Sequence, residues 1–143
     1  MKTLKQLLDE RPRAPLSVAP DDSVFHALEL MAKHDIGALL VMNGEHLAGI
    51  FSERDYARKV TLLGKTSKET LVREIMTEKV LYGLPEQTTD QAMALMTEKH
   101  IRHLPVLDAS QRLIGMVSIG DLVKETISQQ AFLIKQMEQY IAS

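Results

Sequence analysis

Apolar positions along the chain recur first at helical spacing and then in short continuous runs, and this succession occurs twice. Leu4, Leu7 and Leu8 predict a short amphipathic helix over residues 3–11, ended by Pro12 and Pro15. Leu16, Ser17, Val18 and Ala19 form an extended run closed by Pro20. Asp22 and Ser23 open a helix whose inward face is Val24, Ala27, Leu28, Leu30 and Met31. The continuous apolar run over residues 38–42 predicts a strand buried on both faces. Asn43-Gly44 is a two-residue hairpin signal, residues 46–51 return as the partner strand, and Ser52 starts a helix to about residue 63.

After a polar linker (residues 64–69) and a helical patch (72–76), the pattern restarts. Val80, Leu81 and Tyr82 predict a strand and Pro85 its stop. Thr88 with Gln91 predicts a capping box, and Ala92, Met93, Leu95 and Met96 the helical face behind it. A second hairpin and a last helix from residue 122 to about 141 follow. That helix carries Leu122, Val123, Thr126, Ile127, Leu133, Ile134, Met137 and Ile141, a stripe too long for one small repeat, so part of it is expected to pack on the other repeat or another subunit. Each unit reads strand–helix–strand–strand–helix, an α/β pattern of the α+β kind.

The clearest copy is residues 101–122, IRHLPVLDASQRLIGMVSIGDL; the other is residues 36–56, IGALLVMNGEHLAGIFSERDY. They superpose at a shift of roughly 65 residues that grows by one in the turn. Pro20 falls on Pro85, Ala27 on Ala92, Met31 on Met96 and Leu39 on Leu104. Gly49 meets Gly115, Ser52 meets Ser118 and Asp55 meets Asp121, matches that an apolar core does not require. The organisation expected is an N-terminal helix and linker (1–15), a first repeat (16–63), a linker with a short helix (64–79), a second repeat (80–126) and a C-terminal extension (127–143).

Composition narrows the function classes. With 17 Lys and Arg against 19 Asp and Glu, the chain lacks the excess positive charge that neutralises nucleic-acid phosphates, so no nucleic-acid partner is expected. Without cysteine there is no disulfide, thiolate nucleophile or cysteine-held zinc. The first residues turn charged too early for a signal peptide and no apolar run is long enough to span a bilayer, so no membrane partner and a cytoplasmic location are expected.

Ser118-x-x-Asp121 stands where a strand passes into a helix, and two readings are open. In one, Ser caps the helix and Asp at the third position reaches back to it. In the other, the free N–H groups of the helix start receive a phosphate, the Ser hydroxyl donates to it, and the carboxylate accepts the hydroxyls of a ribose. Ser52-x-x-Asp55 offers the same pair. Arg54 and Arg58 lie one turn apart near that end, either as a solvated basic face or as phosphate contacts.

The repeated set of Pro85 through Met96 (PEQTTDQAMALM), Ile101-Arg102-His103-Leu104-Pro105-Val106, and Leu113 through Leu122 (LIGMVSIGDL) resembles the cystathionine beta-synthase (CBS) domain, and two in tandem resemble the CBS pair, or Bateman module. The likeness extends over nearly the whole chain, and the string over residues 51–59 (FSERDYARK) resembles the small stand-alone members of the family. It implies two repeats packed by their sheets with pseudo-twofold symmetry, and two chains paired through helices as a homodimer. It also implies a regulatory sensor rather than an enzyme, binding AMP, with NAD, ADP or ATP as further candidates, in clefts between the repeats, and acting on a separate, unidentified partner protein. No metal is required for that role.

Carried over by position, the resemblance gives Asp55 and Asp121 to ribose, and Ser52 and Ser118 to phosphate. One adenine slot falls to Leu16, Ser17 and Val18 and the other to Val80, Leu81 and Tyr82, where Tyr82 is a stacking partner or a plain core residue. The opposite walls fall to Gly37, Ala38 and Leu39, and to Arg102, His103, Leu104 and Pro105. The copies differ: Arg54 replaces Gly120, and Arg102-His103 replace Gly37-Ala38, so the two clefts are not expected to be equivalent and His103 is placed to reach either ligand.

Other features weigh less. Lys65, Thr66 and Ser67 read as a solvated linker before they read as polyphosphate contacts. His100 with His103 is a weak zinc pattern without Cys or acidic partners. The methionines sit at core-like positions as gap fillers. No glycine-rich phosphate loop and no Ser–His–Asp spacing occurs. Three classes remain: a nucleotide-binding regulator, a structural or adaptor homodimer with vestigial clefts, and an enzyme acting on a nucleotide, against which the missing base and phosphate loop count.

Overall fold

The computed structural model describes residues 2–11 and 15–142, with side chains through residue 140, so Pro12 and the Ile141 side chain lie outside the described residues. Helix α1 (Leu4–Glu10) is capped reciprocally: the Thr3 hydroxyl accepts from the Gln6 amide and the Gln6 side chain accepts from the Thr3 amide. Strand β1 (Ser17–Val18) precedes helix α2 (Val24–His34), which Ser23 caps as predicted. Strands β2 (Ala38–Asn43) and β3 (His46–Ser52) form the first hairpin, and β1 pairs parallel with β2, giving a sheet of order β1-β2-β3.

Helix α3 (Glu53–Tyr56) widens into a π-helical stretch at Ala57–Thr61, where a continuous α-helix was expected. Helix α4 (Val72–Ile75) and helix α5 (Thr89–Lys99) follow, the latter with the predicted Thr88–Gln91 capping box. Strands β4 (His103–Leu107) and β5 (Leu113–Ser118) form the second hairpin, and helix α6 (Ile119–Ala142) closes the chain.

The repeat is visible in the irregularities as well as in the regular elements. Both hairpins carry a β-bulge at the matched place, opposite Val41/Met42 and opposite Val106/Leu107. Both middle helices end in a left-handed residue, Asp35 (φ 52°) and His100 (φ 56°). The single bridges Ser23–Leu71 and Thr3–Thr88 also correspond, which makes α4 the counterpart of α1.

That correspondence is a swap. One core gathers Val24, Ala27, Met31, Leu39, Val41 and Phe51 with Val72 and Ile75 from α4. The other gathers Ala92, Met96, Leu104, Val106, Val117 and Leu122 with Leu4 and Leu7 from α1, at the far end of the sequence. Burying each such leucine stabilises the fold by about 1.5–3 kcal/mol, so α1 is a structural part of the second unit.

The matched glycines have a packing cause. A Cβ on Gly49 would stand 2.7 Å from the Thr77 carbonyl oxygen, and one on Gly115 would stand 2.7 Å from Leu8 Cδ2. Each glycine lets the segment donated across the swap approach a strand closely.

Two expectations need correction. Asn43 is the last residue of β2, paired with His46, so the hairpin turns on Gly44 (φ 63°) and Glu45 and not on Asn43-Gly44. Residues 80–82 do not form a strand: only Gly83 bridges to Val106, donating to the Pro105 carbonyl and accepting from the Leu107 amide. In the first repeat the next rung is Leu40 N–H to the Leu16 carbonyl, and the residue matching Leu40 is Pro105, which has no N–H to give. On α6, Val123, Ile127, Leu133, Ile134 and Met137 are exposed, so of the two partners expected for that stripe the other repeat is not the one that covers them.

Candidate functional site

Two clefts form where the units meet, and they are unequal. The larger, about 400 Å³, is walled on one side by the end of β3 and the start of α3, with Ile50, Ser52, Glu53, Arg54 and Asp55. Thr77, Lys79, Val80 and Leu81, and then Ile101, Arg102 and His103, close it from the second unit, and Gly37 and His100 complete the lining. Its volume falls in the range of small-molecule pockets, roughly 300–1,000 Å³.

At its floor is the Ser52–Asp55 pair. Asp55 is buried; its Oδ2 accepts from the Ser52 amide at 3.0 Å and the Ser52 hydroxyl at 3.1 Å, while the Asp55 amide donates to Ser52 Oγ at 3.2 Å. Oδ1 lies 3.1 Å from Lys59 Nζ and 3.4 Å from Thr77 Oγ1. The capping reading is therefore realised in full, and a carboxylate still borders the cleft. Lys59, which also donates to the Ile75 carbonyl, makes the ion pair there, while Arg58 is exposed and outside the lining.

Cationic groups converge on the larger cleft from both units: Arg54 from α3, Lys79 from the crossing segment, and Arg102 beside β4. His103 lies at the junction, with its ring near Gly37 of the first repeat. Burial pushes its imidazole below the ordinary histidine value; Asp121 opposes this, Arg102 adds to it, and Glu53 opposes it. The ring thus feels a carboxylate from the side of each cleft.

The smaller cleft, about 120 Å³, is the pseudo-symmetric counterpart, with Asp121, Met116 and Val117 matching Asp55, Ile50 and Phe51. Leu16, Ile36 and Pro15 face them. Helix α1 fills the space with Leu7 and Leu8, and Arg11 places its guanidinium 3.4 Å from Asp121 Oδ1. Asp121 otherwise repeats the capping box, accepting from the Ser118 amide at 2.9 Å while its own amide donates to Ser118 Oγ at 3.0 Å.

Of the residues singled out from sequence, the larger cleft brings together Gly37, Ser52, Arg54, Asp55, Val80, Leu81, Arg102 and His103, and the smaller one Leu16 and Asp121. Val18, Leu39 and Leu104 are core residues, and Ala38 and Pro105 are buried beside them. Ser17, Tyr82 and Gly120 are exposed, and they lie outside the lining of both clefts, as does Ser118. Thr77, Lys79 and Arg11 were missed because they belong to the swapped segments, where a repeat alignment begun at the first strand does not look. Ile50 and Ile101 were findable, since they match Met116 and Ile36 at the repeat shift. Among the described residues, no three His, Asp or Glu side chains converge as a metal site.

The family model of the CBS domain matches residues 11–61 and 72–128. The solved structure of a CBS-domain protein from Burkholderia ambifaria MC40-6 is 54% identical and superposes with a TM-score of 0.86, covering 90% of this chain and 96% of that one. The mitochondrial CBS domain-containing protein CBSX3 of Arabidopsis thaliana is 44% identical over 126 residues, 85% of this chain but 61% of its own length. A structure of CBSX2 in complex with AMP superposes with a TM-score of 0.75 at 25% identity, covering 91% of this chain and 99% of that one.

Proposed function

The chain belongs to the CBS-domain family, as a tandem pair of repeats, and on that premise we propose that it is a regulatory module that binds one adenine nucleotide per chain in the larger cleft. The observation that carries this reading is the junction itself: apolar Ile50, Val80 and Leu81, the buried Asp55 carboxylate, and the cations Arg54, Lys79 and Arg102 all border one cavity. An adenine ring fits the apolar wall, ribose hydroxyls replace Thr77 on Asp55 Oδ1 while Oδ2 keeps its capping role, and phosphates meet the cations and the helix start. AMP, as bound by CBSX2, supplies all three parts. Three cations favour more than one phosphate, so ADP, ATP or NAD are ranked with AMP. The smaller cleft is closed by α1, and Arg11 already satisfies its carboxylate. The module acts by binding and conveys nucleotide state to a separate partner chain.

A second reading, an adaptor with vestigial clefts, is favoured by one observation: both Ser–Asp pairs complete capping boxes by themselves. A thermal-shift panel of AMP, ADP, ATP, NAD, S-adenosylmethionine and GTP separates the two. A ligand at about 100 times its Kd adds about 2.7 kcal/mol, which raises Tm by about 5–10 °C. Shifts with adenine compounds and not GTP support the sensor; a cooperative melt unmoved by all of them supports the adaptor.

A further inference from the structure

The two capping boxes are alike, but the residue one turn further along each helix is not. Four residues after Asp55 stands Lys59, and at the matched place four residues after Asp121 stands Glu125. Lys59 Nζ lies 3.1 Å from Asp55 Oδ1 and also donates to the Ile75 carbonyl, at the end of α4, at 3.1 Å. Glu125 is buried and paired with Lys2 at 3.1 Å, and Asp121 takes its cation from Arg11 instead. A cation at this position is therefore no requirement of the repeat, since the second repeat keeps the same fold with the opposite charge there. Nor does stability call for it. The Lys59 side chain is 43% exposed, and an ion pair four residues apart with so open a partner contributes little.

We propose that Lys59 is a positioning residue for nucleotide binding: it holds the Asp55 carboxylate ready for a ribose hydroxyl without touching the ligand itself. The proposal rests on the nucleotide reading of the larger cleft. Its ground is the number of acceptor sites on Asp55, about two for each carboxylate oxygen. Those of Oδ2 are taken by the Ser52 amide and hydroxyl, and those of Oδ1 by Lys59 and Thr77. The Thr77 contact, at 3.4 Å, is the longest of the four and comes from a residue that lines the cleft, whereas Lys59 is outside that lining. A ribose hydroxyl entering the cleft displaces Thr77 and leaves the ammonium on the carboxylate. Anchored on the Ile75 carbonyl, Lys59 then fixes the direction of Oδ1 and balances the charge that a bound nucleotide shuts away from water. Asp121 has no such partner on its own helix. Its ion pair is with Arg11, which lines the smaller cleft, where a ligand has to break the pair before it reaches the carboxylate.

Isothermal titration of the full-length wild type with AMP, 2′-deoxy-AMP and 3′-deoxy-AMP, repeated on Lys59→Met, Lys59→Arg and Lys59→Glu, tests the role. The wild type is expected to bind AMP about tenfold more tightly than the weaker of the two deoxy forms, the effect of one hydrogen bond to a charged acceptor. Lys59→Met lowers AMP affinity about tenfold and narrows that preference to under about threefold, while Tm without ligand moves by less than about 4 °C. Lys59→Arg, which keeps a cationic donor on Oδ1, restores both affinity and preference. Lys59→Glu copies the second repeat and loses more affinity than Lys59→Met. A purely stabilising lysine would lower Tm and leave the ribose preference as it is, and a direct phosphate contact would weaken all three nucleotides equally. Either result overturns the proposal, as does a wild type that binds AMP with no ribose preference or a Lys59→Met variant that matches the wild type. A wild type that binds none of the three defeats the nucleotide reading itself, and this role with it.

Discussion

Replacing Gly49 by Ala tests the swapped packing that builds the larger cleft. Ile50 and Thr77 exchange backbone hydrogen bonds of 3.0 and 2.8 Å, which hold the segment after α4 against β3. A Cβ on Gly49 would stand 2.7 Å from the Thr77 carbonyl oxygen, 3.0 Å from Met76 Sδ and 3.1 Å from Met76 Cγ. The carbonyl is backbone and cannot rotate aside, so the segment has to retreat and loosen the Ile50–Thr77 pair. Overpacking of this kind costs about 1–3 kcal/mol, and the lost freedom of the unfolded chain returns about 0.4–1 kcal/mol. The net loss is about 1–2 kcal/mol, or about 2–8 °C in Tm. Gly115→Ala is the internal control. Its Cβ would meet Leu8 Cδ2 at 2.7 Å and Cδ1 at 2.9 Å, the mobile end of a half-buried side chain, so the net effect is within about 1 kcal/mol. Parallel thermal melts and urea titrations compare the two. Gly49→Ala should also weaken nucleotide binding below its Tm, because Thr77 and Lys79 line the cleft, and Gly115→Ala should not. Equal losses in the two variants, or a greater loss in Gly115→Ala, would refute the reasoning.

Asp55→Ala and Asp121→Ala each remove an acceptor from a capping box, costing about 1–3 kcal/mol apiece by denaturant titration; only Asp55→Ala is expected to abolish nucleotide binding. His103 has a folded-state pKa below its unfolded one, so between those values the unfolded chain holds a proton that the native chain does not. The stability it contributes is present above the ordinary histidine value and is lost as pH falls through that window; His103→Gln flattens this part of the Tm-versus-pH curve. Phosphate beside the ring raises its pKa, so ligand binding takes up a proton and tightens as pH falls from neutral, which calorimetry in buffers of different ionisation enthalpy detects.

Much of the architecture was legible because it is written in local signals. Ser23 and Thr88 cap helices, the four-residue apolar face of α2 and α5 recurs at the repeat shift, and both hairpins follow continuous apolar runs. What escaped was relational. The spacing of Leu4 and Leu7 specifies an apolar face but not which unit it covers, and it covers the far one. The strand expected at residues 80–82 has apolar residues of its own; what it lacks is the N–H that Pro105 withholds from its neighbour. The Asp-bearing helix starts were identified, but the Lys59 ion pair and the Thr77 hydroxyl depend on the π-helical stretch and on the swap, neither of which has a periodic signature.

The central claim is that the larger cleft, and not the smaller, holds an adenine nucleotide. Isothermal titration of the full chain with AMP and with ATP, beside Asp55→Ala and Asp121→Ala, tests it most directly. The account predicts one site per chain, kept in Asp121→Ala and lost in Asp55→Ala. Two equivalent sites per chain, or a site that survives Asp55→Ala and vanishes in Asp121→Ala, would contradict it.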